Sequence, residues 1–299
     1  MTEDEFKRYL EAGRIARTVK GHVLGLVRPG AGVLEVAEMI ESLIRSMGGE
    51  PAFPVNISIG SVAAHYTPGV GDKGLFPERG LAKIDFGVHI DGYIVDTAIT
   101  IDLGGGFERI LSASREALER AIKRVAPGVS FRDIGVIVDE TARRYSLKPI
   151  RNLSGHRIDR YKIHAGESIP NYPERLVPWK FREGGVYAIE PFITDGAGLV
   201  SEERLATIYS VKRSKMKGSG LEERILREAI SRFKGLPFCA RWLSDLGADV
   251  ATALERLAGQ GVLNRYPVLT EITGGQVAQF EDTVVIYQGT VYILTSSPP

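Results

Sequence analysis

The most constraining feature of this chain is an apolar hairpin that carries aspartates, in the segment KIDFGVHIDGYIVDTAITID over residues 83–102. Apolar alternation predicts two strands, and Asp91-Gly92 is typical of a two-residue hairpin turn. With that turn, Asp85 and Asp96 share one face at a diagonal spacing of about 7–8 Å. Carboxylates this close repel each other, so a proton or a cation lies between them, or both face solvent from an edge hairpin. The hairpin alone leaves both interpretations open.

Composition narrows the class of protein. The 299 residues are 43% hydrophobic, which supports a real core, and 38 basic residues nearly balance 37 acidic ones. A net charge of +1 predicts no strong attraction to nucleic acid or anionic membrane, so we expect neither a DNA nor a membrane partner. The single cysteine, Cys239, excludes an intramolecular disulfide and fits a cytoplasmic protein. It lies in LPFCARWL, which we interpret as an apolar helical segment of the core.

Two similar helix pairs suggest an internal duplication. Thr2 and Glu5 have the spacing of a capping box for the first helix, and Pro29-Gly30 ends it before a second helix in residues 32–49. Residues 114–147 repeat the order of helix, Pro-Gly break and helix. A histidine-bearing loop and carboxylate-bearing strands follow each pair, so the two halves are expected to meet at one site. Two unrelated helix pairs remain the alternative.

The sequence pattern changes to that of short helices over residues 207–266. Three short helices are predicted there, in LEERILREAISRFKG, PFCARWLSDLG and DVATALERLAGQGVL. We expect a compact helical insertion between two strands of the second half. A DNA-reading helix-turn-helix is the alternative, but the segment lacks a dense basic face. The basic, Gly/Ser-punctuated residues 210–220 are interpreted as a solvated loop, with RNA contact as the alternative.

The candidate chemical groups are carboxylates and histidines in strands and loops. Glu190 in GGVYAIEPF and Glu281 in GGQVAQFEDTVVI stand where a strand normally carries an apolar residue. The proposed buried set is Asp85, Asp96, His156, Glu190 and Glu281. Four negative charges in one pocket require about two divalent cations, and this oxygen-rich set favours manganese, iron(II), cobalt or zinc over a thiolate-type structural zinc site.

Such a site predicts hydrolysis. Two metal ions roughly 3.5–4 Å apart can bridge a water and hold it as hydroxide at neutral pH. A carbonyl carbon is the natural target of this nucleophile. The remaining histidines of the loops, His65 and His164, are then available to stabilise an oxyanion or a leaving nitrogen.

Four motifs in order, DFGVHIDGYIVDTA, GHRIDRYKIHAGESIPN, VYAIEPF and AQFEDTVVI, resemble those of the methionine aminopeptidase family. AFPVNISIGSVAAHYTP contains the upstream histidine of that family, and the helical insertion is similar to that of its type II, archaeal and eukaryotic subclass. The absence of a Lys/Glu-rich N-terminal extension points to the archaeal form. The resemblance implies an α/β (α+β) pita-bread fold, with two pseudo-symmetric halves around a curved antiparallel sheet. It implies a single catalytic domain over residues 1–299, with residues 207–266 as its insertion subdomain.

The resemblance also implies roles for individual residues. The metal ligands would be Asp85, Asp96, His156, Glu190 and Glu281, with Asp96 and Glu281 bridging two ions and Glu190 also shuttling a proton. His65 and His164 would hold the scissile amide and stabilise the tetrahedral intermediate. The methionine pocket would be formed by Phe53, Ile163, Ile208 and Tyr209, with Tyr266 near its mouth.

The implied function is removal of the initiator methionine from nascent proteins and peptides with a small second residue. The family suggests a monomer, and docking on the ribosome stays an open alternative. One departure is Asp282, where type II enzymes usually carry histidine; alternation turns it away from Glu281, so it is not expected to be a ligand. The pair Glu281-Asp282 is similar to the corresponding motif of Xaa-Pro dipeptidases, which have the same fold. Such a dipeptidase is the alternative enzyme. The third hypothesis for the function is a non-enzymatic relative that binds the ribosome or RNA.

Overall fold

The computed structural model describes residues 1–215 and 220–296. Its α-helices are α1 (Glu3–Leu26), α2 (Val33–Ser46), α3 (Glu108–Arg124), α4 (Phe131–Arg144), α5 (Leu221–Phe233) and α6 (Val250–Gly259), and a 3₁₀ helix covers Ala240–Leu246. The predicted capping box is present: Thr2 Oγ1 accepts from Glu5 N, and Glu5 Oε2 accepts from Thr2 N at 2.7 Å. No described helix has the length and apolar character needed to cross a bilayer. Part of the predicted basic loop, residues 216–219, lies outside the described residues.

The strands form four antiparallel sheets. They are β1 (Glu50–Pro51), β2 (Asn56–Ile59), β3 (Val62–Ala64), β4 (Gly80–Ile90), β5 (Tyr93–Leu103), β6 (Lys148–Pro149), β7 (Ser154–Ile158), β8 (Ser168–Pro170), β9 (Val186–Ile189), β10 (Phe192–Thr194), β11 (Val200–Val211), β12 (Phe238–Cys239), β13 (Leu263–Glu271), β14 (Val277–Gln279), β15 (Asp282–Tyr287) and β16 (Thr290–Ile293). The sheet orders are β1-β4-β2 with β5 on β4, β14-β10-β6, β12-β11-β13-β3 and β16-β15-β9-β7-β8.

The central hairpin has the predicted register. In β4 and β5, Gly87 is opposite Asp96 and Asp85 is opposite Ala98, with the turn at Asp91 and Gly92. Both turn residues have positive φ, 50° and 86°, which is the conformation that a type I′ turn requires and that an Asp-Gly pair tolerates. Asp85 and Asp96 therefore share one face of the hairpin, as the alternation predicts.

Two helix-on-sheet halves confirm the predicted fold class. In the first half, α1 packs on β4 and β5, and α2 packs on α1, β1 and β2, around a core that includes Ile15 and Phe86. In the second half, α3 and α4 pack on β8, β10 and β14 around a core that includes Phe131 and Tyr187. The strands of both halves are antiparallel, and the whole is the α/β (α+β) architecture of curved sheet and flanking helices expected from the sequence.

The two halves meet along a seam formed by residues 96–98 of β5 and residues 281–283. Ala98 of β5 and Glu281 form an isolated antiparallel bridge. Threonine hydroxyls extend the contact where strand pairing stops: Thr97 Oγ1 donates to the Glu281 carbonyl at 2.8 Å, and Thr283 Oγ1 donates to the Asp96 carbonyl at 2.7 Å. These bonds hold the backbone of two acidic residues from opposite halves beside each other.

The helical segment between β11 and β13 has its own apolar core. The predicted boundaries, residues 207–266, fall inside those two strands, and we propose that the subdomain consists of the elements between them. The predicted middle helix is wrong in part: Cys239 pairs with Ile208 of β11 as a strand residue, and only then does the 3₁₀ helix begin. Pairing with the sheet takes the backbone hydrogen bonds that a helix would have used.

A buried ion pair docks this segment on the first half. Arg241 of the 3₁₀ helix donates to both carboxylate oxygens of Glu41 in α2, at 3.0 and 2.9 Å. Trp242 Nε1 donates to the same carboxylate at 2.8 Å, and so does the backbone N of Val55 at 3.3 Å. Because Val55 follows Phe53, the contact also fixes the loop that leads into β2.

Candidate metal centre

The five acidic and histidine residues predicted as ligands converge at the seam. Asp85 and Asp96 come from the hairpin, His156 from β7, Glu190 from the residue after β9, and Glu281 from the link between β14 and β15. His156 Nε2 lies 3.5 Å from Asp96 Oδ2 and 3.4 Å from Glu190 Oε1. Asp96, His156 and Glu281 each offer one ligand atom, and these atoms all lie within 4.8 Å of one another. The structure thus gathers all five, although they span almost 200 residues of sequence.

Burial makes this cluster electrostatically unfavourable without a cation. The pKa of Asp85 is raised well above its usual range, chiefly by burial and next by repulsion from Asp96. Burial, followed by repulsion from Asp96, likewise raises the pKa values of Glu190 and Glu281. Since both effects disfavour the ionised form, neutralising charge must come from protons or metal ions.

Unsatisfied oxygens show that the cluster fits metal ions. Among the described residues, Asp85 Oδ1, Asp96 Oδ1 and Glu281 Oε1 are buried without a hydrogen-bond partner. Buried polar atoms of this kind are rare unless water or an ion completes them. Four carboxylates with one imidazole are donors that suit divalent first-row metals.

A cavity of about 420 Å³ opens on the cluster. The predicted substrate residues that line it are Phe53, His65, Ile163, His164, Ile208 and Tyr266. The rings of His65 and Tyr266 meet edge to face with centroids 5.7 Å apart, and the rings of His156 and His164 do so at 4.5 Å. Apolar side chains and polar groups therefore line the same cavity.

Two of the histidines that line the cavity, His65 and His164, have lowered pKa values and are neutral at pH 7. Burial lowers the pKa of His65 to about 4, and burial together with repulsion from His156 lowers that of His164 well below its usual range. His65 Nδ1 lies 3.3 Å from the carbonyl oxygen of Pro267. A carbonyl only accepts, so Nδ1 carries the proton and Nε2 of the neutral ring is an acceptor.

The structure corrects one pocket residue. Tyr209 was expected in the methionine pocket, but it lies outside the residues that line the cavity. Its hydroxyl instead donates to the Ala206 carbonyl at 3.1 Å and contacts Glu255 of α6. Ile208 and Tyr209 are successive strand residues and point to opposite faces of β11, so only Ile208 reaches the cavity.

Gln279 and Asn56 are two of the polar residues of the site that sequence reasoning missed. Gln279, which is 1% exposed, donates through Nε2 to Glu281 Oε2 at 3.1 Å and to Glu190 Oε2 at 3.4 Å. Its position two residues before Glu281 was an available signal, because side chains two apart in an extended chain share a face. Asn56 lines the cavity opposite Asp85. No local pattern marks it, since only the pairing of β2 with β4 brings it there.

Buried carboxylates and an imidazole, gathered beside a cavity with neutral histidines, are the arrangement of a metal-dependent hydrolase. A family model for metallopeptidase family M24 matches residues 7–288. The chain is 44% identical to the methionine aminopeptidase of Thermococcus onnurineus over 98% of its own length and 100% of the relative's. It is also 44% identical to that of Saccharolobus solfataricus, over 99% and 100%. The chain belongs to metallopeptidase family M24 and, within it, to the methionine aminopeptidases.

Solved structures agree on the fold. A thermophilic Arx1 superposes with a TM-score of 0.89 at 20% identity, covering 100% of this chain and 92% of the other. The methionine aminopeptidase of Thermotoga maritima gives 0.72 at 21% identity, covering 99% and 98%. The prolidase of Pyrococcus furiosus gives 0.64 at 20% identity, but this chain spans only 65% of its length. These three share the pita-bread fold with this chain.

Proposed function

We propose that the protein removes the N-terminal methionine from peptides and nascent proteins whose second residue is small. One observation carries the proposal: a cluster of four carboxylates and His156 opens on a cavity whose walls include Phe53, Ile163 and Ile208. Asp85, Asp96, Glu190 and His156 line this cavity, and Glu281 lies beside Asp96 and His156. An unbranched thioether side chain suits such apolar walls. The identity of 44% with methionine aminopeptidases over the whole chain supports the same activity.

The proposed metal ligands, which would hold two divalent ions, are Asp85, Asp96, His156, Glu190 and Glu281. When bound, such ions polarise a carbonyl and lower the pKa of water to near neutrality. The specific metal among cobalt, manganese, iron(II) and zinc belongs to this proposal as well.

The protein's own groups complete the chemistry. Glu190 lines the cavity beside the cluster and is suited to take a proton from the attacking water and pass it to the leaving amine. His65, with Nε2 free to accept, is suited to hold the N–H of the scissile peptide. We assign His164, whose ring packs edge to face against that of His156, to the oxyanion, and its neutral ring can donate one hydrogen bond there. Tyr266, edge-on to His65, would close the mouth of the pocket.

The proposed partners are polypeptide N-termini that emerge during synthesis. We propose that the protein acts on them in the cytoplasm as a monomer, and that it docks on the ribosome is a further proposal. A net charge of +1 supports the absence of a DNA or membrane partner. The single cysteine is buried and free, as expected for a reducing compartment.

The experiment loads metal-free protein with Mn²⁺ or Co²⁺ and measures methionine release from Met-Ala and Met-Gly peptides, beside an Ala-Pro dipeptide. We expect release from the methionine peptides only, and loss of release on chelation. Glu281→Gln should abolish turnover, while full activity of that variant would refute the site. Cleavage of the proline substrate alone would make the protein a dipeptidase. Cleavage of neither, with tight and salt-dependent RNA binding and no metal, would indicate a non-enzymatic relative.

A further inference from the structure

Asn56 holds an unusual position beside the metal centre. It begins β2 and lies directly opposite Asp85 of β4, where the Cβ atoms of paired residues are about 4.5–5.5 Å apart. Both side chains line the cavity. Asn56 is 5% exposed, and its Oδ1 is buried without a hydrogen-bond partner in the described part of the chain.

This orphaned oxygen differs from those of the carboxylates around it. Metal ions can bind Asp85 Oδ1 and Asp96 Oδ1, because these oxygens belong to carboxylates that can carry negative charge. An amide oxygen is a neutral acceptor, and its ordinary partner is an N–H or O–H donor. A buried acceptor without a partner carries the full free-energy cost of its desolvation. A hydrogen bond from a donor on a bound ligand to this acceptor is therefore favourable.

The shape of a methionyl substrate indicates which donor that is. Its α-carbon carries three branches: the side chain, the carbonyl and the α-amine. The side chain fits the wall formed by Phe53, Ile163 and Ile208, and the carbonyl must approach the carboxylate cluster beside Glu190. The remaining branch, the amine, is then free to reach Asn56 and Asp85, which line the same cavity. Asn56 lies three residues along the chain from Phe53.

We propose that Asn56 Oδ1 accepts a hydrogen bond from the free α-amine of the substrate and so selects for unblocked N-termini. This inference rests on the proposed function. A site built to hydrogen-bond a substrate N–H rejects analogues that lack it, because its own buried polar group is then left unpaired. Asn56 is thus a specificity-determining residue of the aminopeptidase reaction.

The test compares two ligands in two variants. The ligands are a Met-Ala-Ser peptide and the same peptide with a 4-(methylthio)butanoyl group in place of methionine, which lacks only the amine. The variants are Asn56→Ala and the nearly isosteric Asn56→Leu. We expect kcat/KM for the amine peptide to fall about tenfold, mainly through KM, while Ki of the desamino peptide changes less than twofold. Calorimetric titration with Mn²⁺ should give the wild-type Kd in both variants.

Ser58 supplies the matched control. It lies two residues further along β2 on the same face, is 2% exposed, has an equally unpaired Oγ, and does not line the cavity. Ser58→Ala should keep the discrimination between the two ligands.

Three results would overturn the inference. Equal losses for both ligands would show that Asn56 shapes the pocket without contacting the amine. A weakened Mn²⁺ titration would show that it acts on Asp85 or the metal. Unchanged discrimination in both variants would remove it from recognition. If the wild-type protein releases no methionine at all, the proposed function fails with it, and that outcome is visible before any variant is made.

Discussion

Lys20 of α1 and Asp282 of β15 form an ion pair inside the protein, with Nζ 3.0 Å from Oδ1 and side chains 9% and 7% exposed. Lys20 Nζ also donates to the Glu281 carbonyl at 3.2 Å, and Thr295 Oγ1 donates to Asp282 Oδ1 at 2.9 Å. Asp282 therefore faces away from the metal centre, as alternation predicts, and has partners of its own. The pair joins the first helix to the strand that follows Glu281.

Breaking this pair should destabilise the protein strongly. Lys20→Met leaves Asp282 buried and uncompensated, and we expect the free energy of unfolding to fall by about 3–5 kcal/mol. Urea unfolding of the metal-free protein measures this. The double variant Lys20→Met, Asp282→Leu removes both charges and should recover most of the loss. A double variant as unstable as the single one would mean that Lys20 contributes by packing alone.

Gln279 should control metal affinity. Its amide donates to Glu190 and Glu281 together, so Gln279→Leu frees two ligand carboxylates from their common donor. Loss of such supporting contacts typically lowers metal affinity by about 10–100-fold, and calorimetric titration with Mn²⁺ measures it. Gln276→Leu is the control, since its Oε1 accepts from Leu81 N at 3.1 Å and does not contact the cluster. Equal affinities in the wild type and Gln279→Leu would contradict a supporting role.

His65 should make stability depend on pH in the acid range. Its folded pKa of about 4 lies below the unfolded value near 6.5. Between these values the unfolded state binds more protons, so this stability contribution is complete above pH 6.5 and is lost as the pH falls toward 4. His65→Gln should therefore show a shallower decline in unfolding free energy over this window, measured by urea titrations at several pH values. Parallel curves for the two proteins would refute the low pKa.

Cys239 should be unreactive in the folded protein. It is 2% exposed, and burial raises its pKa to about 11, so the thiolate is scarce at pH 8. We expect the disulfide reagent DTNB to modify it only as fast as the protein opens, and at once in denaturing urea. Rapid modification of the native protein would indicate an accessible thiol and a mispositioned β12.

Several features follow from the sequence because their causes are local. The register of β4 and β5 depends on alternation and on the Asp91-Gly92 turn, which act within a few residues. The capping box of Thr2 and Glu5 has the same local origin. The ligand types were also recognisable, since Glu190 and Glu281 interrupt strands that would otherwise be apolar. These signals predict the hairpin, the helix start and the candidate metal donors, whereas the fold class and the family follow from the resemblance of the four motifs.

Tertiary structure alone decided which distant residues share a surface. Asn56 reaches Asp85 only through the pairing of β2 with β4, and Lys20 reaches Asp282 across 261 intervening positions. Tertiary pairing also made Cys239 a strand residue. Local propensity extends over only a few residues. The partner of a buried polar group instead depends on which distant segments pack together, because a buried polar group without a partner is destabilising.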